Sequence, residues 1–182
     1  MRLFIAFDLD AAVRVRVGSL LRELRAGAPE IKWVAPDSMH LTLKFIGEQP
    51  EAKLAEMIEA LEAVPRPGPL ALSFRGLGCF PNERRPRVFW VGVESPPELA
   101  RLAEAIDEAM ERFGVERERR PFSPHLTLGR TREGRRVELP AAVWEAHRND
   151  DFGGFTATEF FLFESKLAPA GAQHTKLQTF GL

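Results

Sequence analysis

SMHLTLKFIGE (residues 38–48) and PFSPHLTLGRT (residues 121–131) both contain the tetrapeptide His-Leu-Thr-Leu. The chain of 182 residues has only four histidines, and two of them, His40 and His125, open the two copies. Alternation of apolar residues with polar or β-branched residues is typical of a half-buried strand. The sequence therefore predicts two equivalent strands, each with a histidine at its start.

The repeated unit is larger than four residues. The two histidines are 85 positions apart (125 − 40 = 85), and at this offset the apolar segment around Phe4 aligns with the one around Phe89. The helical position Leu21 likewise aligns with Ile106. Each half therefore has the order strand, helix, His-Leu-Thr-Leu strand. This order predicts two similar lobes that present their motifs to each other across a groove.

Apolar periodicity predicts four helices and eight strands along the chain. The helices are centred on residues 13–24, 54–61, 99–110 and 143–144. The strands are RLFIAFDL, IKWV, HLTLKFIG, LALSFRGLGCF, VFWVGV, HLTLGRT, FTATEFFLFESKL and HTKLQTFGL. A turn at residues 169–171 is predicted to join the last two strands.

The alternation of side chains along a strand places the histidine and threonine of each motif on one face and the two leucines on the other. We expect the leucines to face a core. Continued alternation places Lys44 on the polar face with His40, whereas Arg130 reaches the face of His125 only if Gly129 forms a bulge.

Two imidazoles and two hydroxyls suit the cleavage of a phosphodiester. Imidazole titrates near pH 6.5, so at neutral pH one ring can take a proton from attacking water while the other protonates the leaving oxygen. The threonine hydroxyls can donate hydrogen bonds to the non-bridging phosphate oxygens as charge develops on them. This chemistry requires no metal ion.

Other kinds of active site have weaker support in the sequence. A catalytic zinc usually takes three protein ligands, and neither motif is accompanied by H-E-x-x-H, a cysteine pair or an acidic cluster. The sequence also lacks the G-x-S-x-G motif of serine hydrolases and the phosphate-binding G-x-x-x-x-G-K-[ST] motif. We therefore expect neither a metal nor a nucleotide cofactor.

Composition limits the remaining possibilities. The formal net charge is −1, and the two basic-leaning stretches, NERRPR (residues 82–87) and ERERR (residues 116–120), are interpreted as solvated faces. A single cysteine, Cys79, excludes an intrachain disulfide and suits a reducing cytosol. No segment approaches the roughly 20 apolar residues of a membrane span, and the N-terminus does not resemble a signal peptide. These features predict a cytoplasmic protein that does not enter a membrane.

The paired H-x-[ST]-x motifs make the chain similar to the 2H phosphoesterase superfamily. The segments MRLFIAFDL, MHLTLKFIGE and PFSPHLTLGR resemble the bacterial and archaeal RNA 2′,3′-cyclic phosphodiesterases, formerly called 2′-5′ RNA ligases, over nearly the whole chain. The resemblance implies an α+β fold in a single domain spanning residues 1–182. That fold is bilobal, with two pseudo-symmetric lobes of mostly antiparallel sheet and outer helices around a central cleft.

The same resemblance implies hydrolysis of an RNA-terminal or nucleoside 2′,3′-cyclic phosphate to a 2′-phosphomonoester, without a cofactor, and a weak reverse joining of RNA ends. It assigns His40 as the proton donor and His125 as the proton acceptor, an order that the residues alone do not give. The candidate site residues are His40 and His125 for catalysis, and Thr42, Thr127, Lys44 and Arg130 for binding the substrate.

Two alternatives stay open. The first is a non-catalytic module that binds RNA ends, against which the intact histidines of both motifs argue. The second is a 2H phosphodiesterase or ligase that acts on another small cyclic or oligonucleotide phosphate. The expected partners are RNA 3′ ends or nucleoside 2′,3′-cyclic phosphates, and the expected state is a monomer.

Four other residues are not assigned to the candidate site. His147 and His174 match neither motif, and we expect both at the surface. Phe45 and Trp33 are candidates for stacking on a base, but core packing is the favoured interpretation of both.

Overall fold

The computed structural model of the protein describes residues 1–132, 135–168 and 171–182. Over these ranges the chain forms four α-helices and nine strands, and the strands make two antiparallel sheets. The predicted turn at residues 169–171 falls mainly outside the described residues. No helix in the described ranges is long and apolar enough to cross a membrane.

The bounds of the elements agree closely with the apolar periodicity. The helices are α1 (Ala11–Gly27), α2 (Leu54–Glu62), α3 (Pro97–Glu111) and α4 (Ala141–His147). The strands are β1 (Arg2–Asp8), β2 (Lys32–Trp33), β3 (His40–Glu48), β4 (Leu70–Phe80), β5 (Val88–Glu94), β6 (His125–Arg130), β7 (Asp151–Ala157), β8 (Glu159–Ala168) and β9 (Gly171–Gly181).

The first helix shows how local sequence sets these bounds. The Asp10 side chain accepts a hydrogen bond from the Ala12 backbone N–H at 2.8 Å, which satisfies one of the free donors at the start of α1. Five apolar residues at helical spacing then form its buried face: Val13, Val17, Leu20, Leu21 and Leu24. Burying each such side chain contributes about 1.5–3 kcal/mol, so the face that packs on the sheets fixes the position of the helix.

The internal repeat predicted from the sequence is visible in the two sheets. The strand order is β3-β1-β8-β9 in the four-stranded sheet and β2-β6-β5-β4-β7 in the five-stranded sheet. The trio β3-β1-β8 therefore corresponds to the trio β6-β5-β4, with α1 corresponding to α3. Each sheet combines strands from both halves, because β8 of the second half pairs with β1 and β4 of the first half pairs with β5.

Strand register corrects one detail of the alignment. His40 lies opposite Asp8, and His125 lies opposite Gly92, so the partner strands are 84 residues apart (92 − 8 = 84) rather than 85. Phe4 consequently corresponds to Val88 and not to Phe89. The predicted α+β fold of two related, mostly antiparallel units is otherwise confirmed.

The late part of the chain differs from the prediction. The segment FTATEFFLFESKL, predicted as one strand, contributes to two, because the chain leaves the five-stranded sheet after β7 and enters the four-stranded sheet at β8. The sequence does not mark this crossing with a glycine or a proline, since Thr158 alone separates the two strands.

The two motif strands share one core. The leucines of both motifs, Leu41, Leu43, Leu126 and Leu128, belong to a single buried cluster. Strands β3 and β6 lie beside each other, with Cα atoms within 8 Å across the boundary between the sheets. The histidine and threonine of each motif lie on the opposite face from these leucines, where all four are partly exposed.

Candidate active site

A β-bulge follows Thr42 in the first motif strand. The residues opposite Thr42 and Lys44 are neighbours in β1, so Leu43 has no partner there. A bulge reverses the side-chain alternation of the residues that follow it. Lys44 consequently lies on the core side and is only 3% exposed. The prediction that Lys44 shares the polar face of His40 is wrong.

Lys44 instead forms a buried ion pair between the two halves of the chain. Its Nζ atom contacts the Asp107 carboxylate of α3 at 2.5 Å. It also donates to the Glu116 carbonyl at 2.7 Å and to the Glu118 carboxylate at 3.3 Å. These partners satisfy the ammonium group in a desolvated place, where a free charge would be costly. Lys44 therefore holds β3 against α3.

The second motif strand has a bulge at the equivalent place. The residues opposite Thr127 and Gly129 are neighbours in β5, so Leu128 has no partner. Arg130 therefore returns to the face of Thr127, and its side chain is exposed. The bulge on which the sequence prediction for Arg130 depended is present, although the extra residue is Leu128 and not Gly129.

Phe45 occupies the position in the first motif that Arg130 occupies in the second. Each lies three residues after the motif threonine and beyond the bulge. Phe45 is 60% exposed on the polar face, so the prediction of core packing is wrong for this residue. Trp33 does pack in the core, where its indole N–H donates to the Ala28 carbonyl at 2.8 Å.

His40 lies among aromatic rings. Its imidazole stacks on Phe4 and Phe163, with ring centroids 4.8 Å and 5.3 Å away, and meets the edge of His174 at 4.6 Å. Burial of the ring, with a smaller effect of His174, lowers the pKa of His40 to about 4. In the protein without substrate, His40 is therefore neutral at pH 7.

His174 lines the cavity beside His40, a place that the sequence did not predict. It was expected at the surface, yet its ring contacts His40 and Phe4. Its Nδ1 atom is buried and has no hydrogen-bond partner among the described residues. His174 reaches the site because β9 curls over β8, and no sequence pattern marks such curvature. His147, by contrast, contacts Asp150, just beyond the end of α4, and Glu23 of α1, at 2.6 Å and 3.0 Å.

A hydrogen bond orients the imidazole of His125. Its Nδ1 atom lies 2.8 Å from the Ser123 carbonyl oxygen. Because a carbonyl only accepts, Nδ1 carries the proton, and Nε2 of the neutral ring keeps a free lone pair. The edge of the Phe80 ring packs against the imidazole at 5.1 Å. His125 thus presents a hydrogen-bond acceptor on the polar face of β6.

A cavity of about 440 Å³ opens beside His40. Asp8 on its wall contacts Arg14 and Lys176, each at 2.6 Å. Burial alone would raise the pKa of Asp8, but the hydrogen bond and charge of Lys176, together with Arg14, outweigh burial and lower it. Asp8 therefore stays ionised and holds two cationic groups at the rim of the cavity.

The described residues contain no group of three or more His, Cys, Asp or Glu side chains placed to hold a metal ion. Cys79 is buried, and burial raises the pKa of its thiol to about 11, so the thiol stays protonated. The expectation of a mechanism without metal or cofactor stays a prediction.

Two antiparallel sheets with one His-Leu-Thr-Leu strand each define the class of two-histidine phosphoesterases. The family model described as LigT like Phosphoesterase matches the chain twice, at residues 7–90 and 91–172, and each match contains one motif. The chain therefore belongs to the LigT-like phosphoesterase family.

Relatives and solved structures agree with this membership. Two proteins named RNA 2′,3′-cyclic phosphodiesterase, from Archaeoglobus fulgidus and Methanothermobacter thermautotrophicus, are 38% and 34% identical over 99% and 100% of this chain and 99% of each relative. The crystal structure of TT0787 of Thermus thermophilus superposes with a TM-score of 0.78 at 33% identity, covering 100% of this chain and 98% of that one. That of E. coli LigT complexed with 3′-AMP gives 0.74 at 30% identity, covering 100% and 97%.

Proposed function

We propose that the protein hydrolyses the 2′,3′-cyclic phosphate at an RNA 3′ end, or that of a nucleoside, to a 2′-phosphomonoester. One observation carries the proposal: two His–Thr faces, on neighbouring strands, point out of one shared core. The names of the curated relatives support this substrate class.

In the proposed mechanism His125 acts as the base. Its Nε2 lone pair, made available by the hydrogen bond of Nδ1 to Ser123, removes a proton from water. The water oxygen forms a bond to phosphorus while the bond from phosphorus to the 3′ oxygen breaks. The hydroxyls of Thr42 and Thr127 stabilise the non-bridging oxygens as negative charge grows.

His40 then gives a proton to the leaving 3′ oxygen. The pKa of His40 is about 4 in the free protein, so an acid role requires that the substrate itself promote protonation. The cyclic phosphate carries one negative charge, and an anion beside an imidazole raises its pKa. Substrate binding therefore supplies the charged ring that the leaving oxygen needs.

The test of the proposed function is turnover of a nucleoside 2′,3′-cyclic phosphate in excess EDTA, with the product identified by phosphorus NMR. We expect steady hydrolysis to the 2′-phosphomonoester. Absence of hydrolysis with and without EDTA would overturn the proposed function. Activity that EDTA abolishes would overturn only the metal-free mechanism.

Three finer features belong to the same proposal. We expect a weak joining of RNA ends through a 2′-5′ bond, because the 5′-hydroxyl of a second RNA can attack phosphorus in place of water while the bond from phosphorus to the 3′ oxygen breaks. We also expect a monomer that acts in the cytoplasm. Light scattering on the purified protein would test the monomer, and fractionation of cells would test the location.

A further inference from the structure

A second pocket, of about 670 Å³, lies where β5 begins and β6 ends. Six arginines line it, and we call it the arginine pocket: Arg85, Arg87, Arg130, Arg132, Arg135 and Arg136. None of its lining residues lines the cavity beside His40. Buried Pro86 and Val137 lie beneath the exposed arginine side chains.

Within the described part of the chain, none of these six arginines has a carboxylate within ion-pair distance. Five of the fourteen other arginines have such a partner: Arg14, Arg101, Arg117, Arg119 and Arg148. The interpretation as a solvated face thus suits ERERR (residues 116–120), where two arginines are paired, but not the arginine pocket. Six gathered like charges repel one another and cannot stabilise the fold, so an anionic ligand best accounts for them.

The backbone holds the two arginine-bearing segments together. The Asn82 side chain accepts hydrogen bonds from the backbone N–H groups of Arg84 and Arg85, at 3.0 Å and 3.2 Å. The Thr131 N–H donates to the Arg87 carbonyl at 2.9 Å. The backbone positions from which these arginine side chains project are therefore fixed before any ligand arrives, which lowers the entropic cost of binding.

Arg130 connects the arginine pocket to the proposed active site. It lies on the same strand face as Thr127, and because the residues opposite the two are only two positions apart in β5, it lies about 7 Å further along the strand. Lys32 lies opposite Arg130 in β2 and is also exposed. A path of positive charge thus leads away from the threonine that we expect to bind the terminal phosphate.

We propose that the arginine pocket binds the backbone phosphates of the RNA nucleotides that precede the terminal cyclic phosphate. This inference rests on the proposed function. Its described lining offers guanidinium groups, a threonine and apolar side chains, with no carboxylate or aromatic ring to read a base. Contacts to phosphates give affinity without sequence preference. The pocket therefore favours polynucleotide ends over mononucleotides, whatever their sequence.

The experiment compares two substrates, a nucleoside 2′,3′-cyclic phosphate and a hexanucleotide that ends in the same group. At low salt we expect the hexanucleotide to have a KM at least about tenfold lower. Its KM should also rise more steeply with salt, because each neutralised phosphate of a single strand adds about 0.7 to the slope of log affinity against log salt.

Variants then assign the effect to the pocket. The double variant Arg132→Gln/Arg135→Gln should raise the KM of the hexanucleotide about tenfold and flatten its salt dependence, while mononucleotide turnover changes less than about twofold. Arg101→Gln is the matched control, because Arg101 is an exposed arginine of α3 paired with Glu98. It should leave both substrates unchanged.

Equal KM and equal salt dependence for the two substrates, with both hydrolysed, would overturn the inference and leave the proposed function intact. So would a double variant that behaves as wild type. If neither substrate is hydrolysed, the proposed function fails, and fluorescence anisotropy of a labelled hexanucleotide ending in a 2′-phosphate decides about the pocket. Binding that the double variant loses would support it; equal binding by both proteins would overturn it.

Discussion

The two histidines are equivalent in sequence but differ in surroundings, so their removal should have separable effects. We expect His40→Ala and His125→Ala each to lower kcat by about 10²–10⁴-fold with the fold intact, since each removes one proton transfer. Circular dichroism would confirm the fold, and steady-state rates on a cyclic nucleotide would measure the loss. A variant with the wild-type rate would remove that histidine from the mechanism.

A change of leaving atom distinguishes the two roles. In a substrate with sulfur in place of the 3′ oxygen, the sulfur leaves as a thiolate without protonation, so its hydrolysis does not need an acid. We expect this substrate to restore much of the activity of His40→Ala and none of that of His125→Ala. Rescue of His125→Ala instead would mean that the two roles are exchanged, an assignment that the low pKa of His40 also allows.

Burial of His40 gives a testable pKa. Phe163→Ala should open the stacked ring to water and raise the pKa of His40 from about 4 toward the usual value of about 6.5. NMR titration of the imidazole would measure the change. Phe45→Ala is the matched control, since that phenylalanine is already exposed. An unchanged pKa in Phe163→Ala would assign the low value to another cause.

The same burial makes stability depend on pH. Because the folded-state pKa of His40 is lower than its unfolded value, the unfolded chain binds more protons between about pH 4 and 6.5, and stability should fall as the pH decreases through this window. The contribution is at most about 3 kcal/mol. Urea unfolding of wild type and His40→Gln across this range would measure it; equal slopes for the two proteins would contradict it.

At the scale of the element, the ion pair between β3 and α3 predicts a loss of stability rather than of activity. Lys44→Ala leaves the buried Asp107 carboxylate with only a hydrogen bond from the Glu118 N–H and the longer contact to Arg117, at 3.7 Å, and we expect a loss of up to about 3–5 kcal/mol. The double change Lys44→Met/Asp107→Leu should recover much of it. Thermal unfolding and kcat/KM of the folded fraction are the measurements. A normal Tm with a raised KM would instead indicate that Lys44 binds the substrate.

The bulges mark the limit of what strand patterns predict. Both motif strands, their polar faces and their leucine cores followed from alternation with a period of two. The extra residue after each motif threonine could not be predicted in this way, because Leu43 and Leu128 are ordinary strand residues with nothing to set them apart. Positions before each bulge were therefore predicted correctly, while Lys44 and Phe45, which follow one, were assigned to the wrong faces.

At the scale of the whole molecule, the exchange of strands between the sheets predicts a single cooperative unit. Neither half forms a complete sheet by itself, since β4 of the first half belongs to the five-stranded sheet and β8 of the second half belongs to the four-stranded sheet. We expect one calorimetric unfolding transition with equal calorimetric and van't Hoff enthalpies. Two resolved transitions would contradict the expectation of a single domain over residues 1–182.

The repeat of His-Leu-Thr-Leu was enough to predict two related units, because matched spacing requires matched elements. It could not predict that the units share strands, since β4 would satisfy the same pattern in either sheet. The position of His174 was not predicted for a similar reason: the curl of a strand pair depends on packing summed over many residues. Long-range geometry of this kind produces no pattern in the local sequence.

The two positions beyond the bulges, Phe45 and Arg130, make the two halves of this near-symmetric scaffold chemically different. One offers a flat apolar ring at Phe45 and the other a cation at Arg130, at matching distances from matching threonines. A ligand turned end for end would set its anionic side against the ring and its uncharged side against the guanidinium group. A doubled framework can thus distinguish the two ends of a ligand, although both motif strands begin with the same four residues.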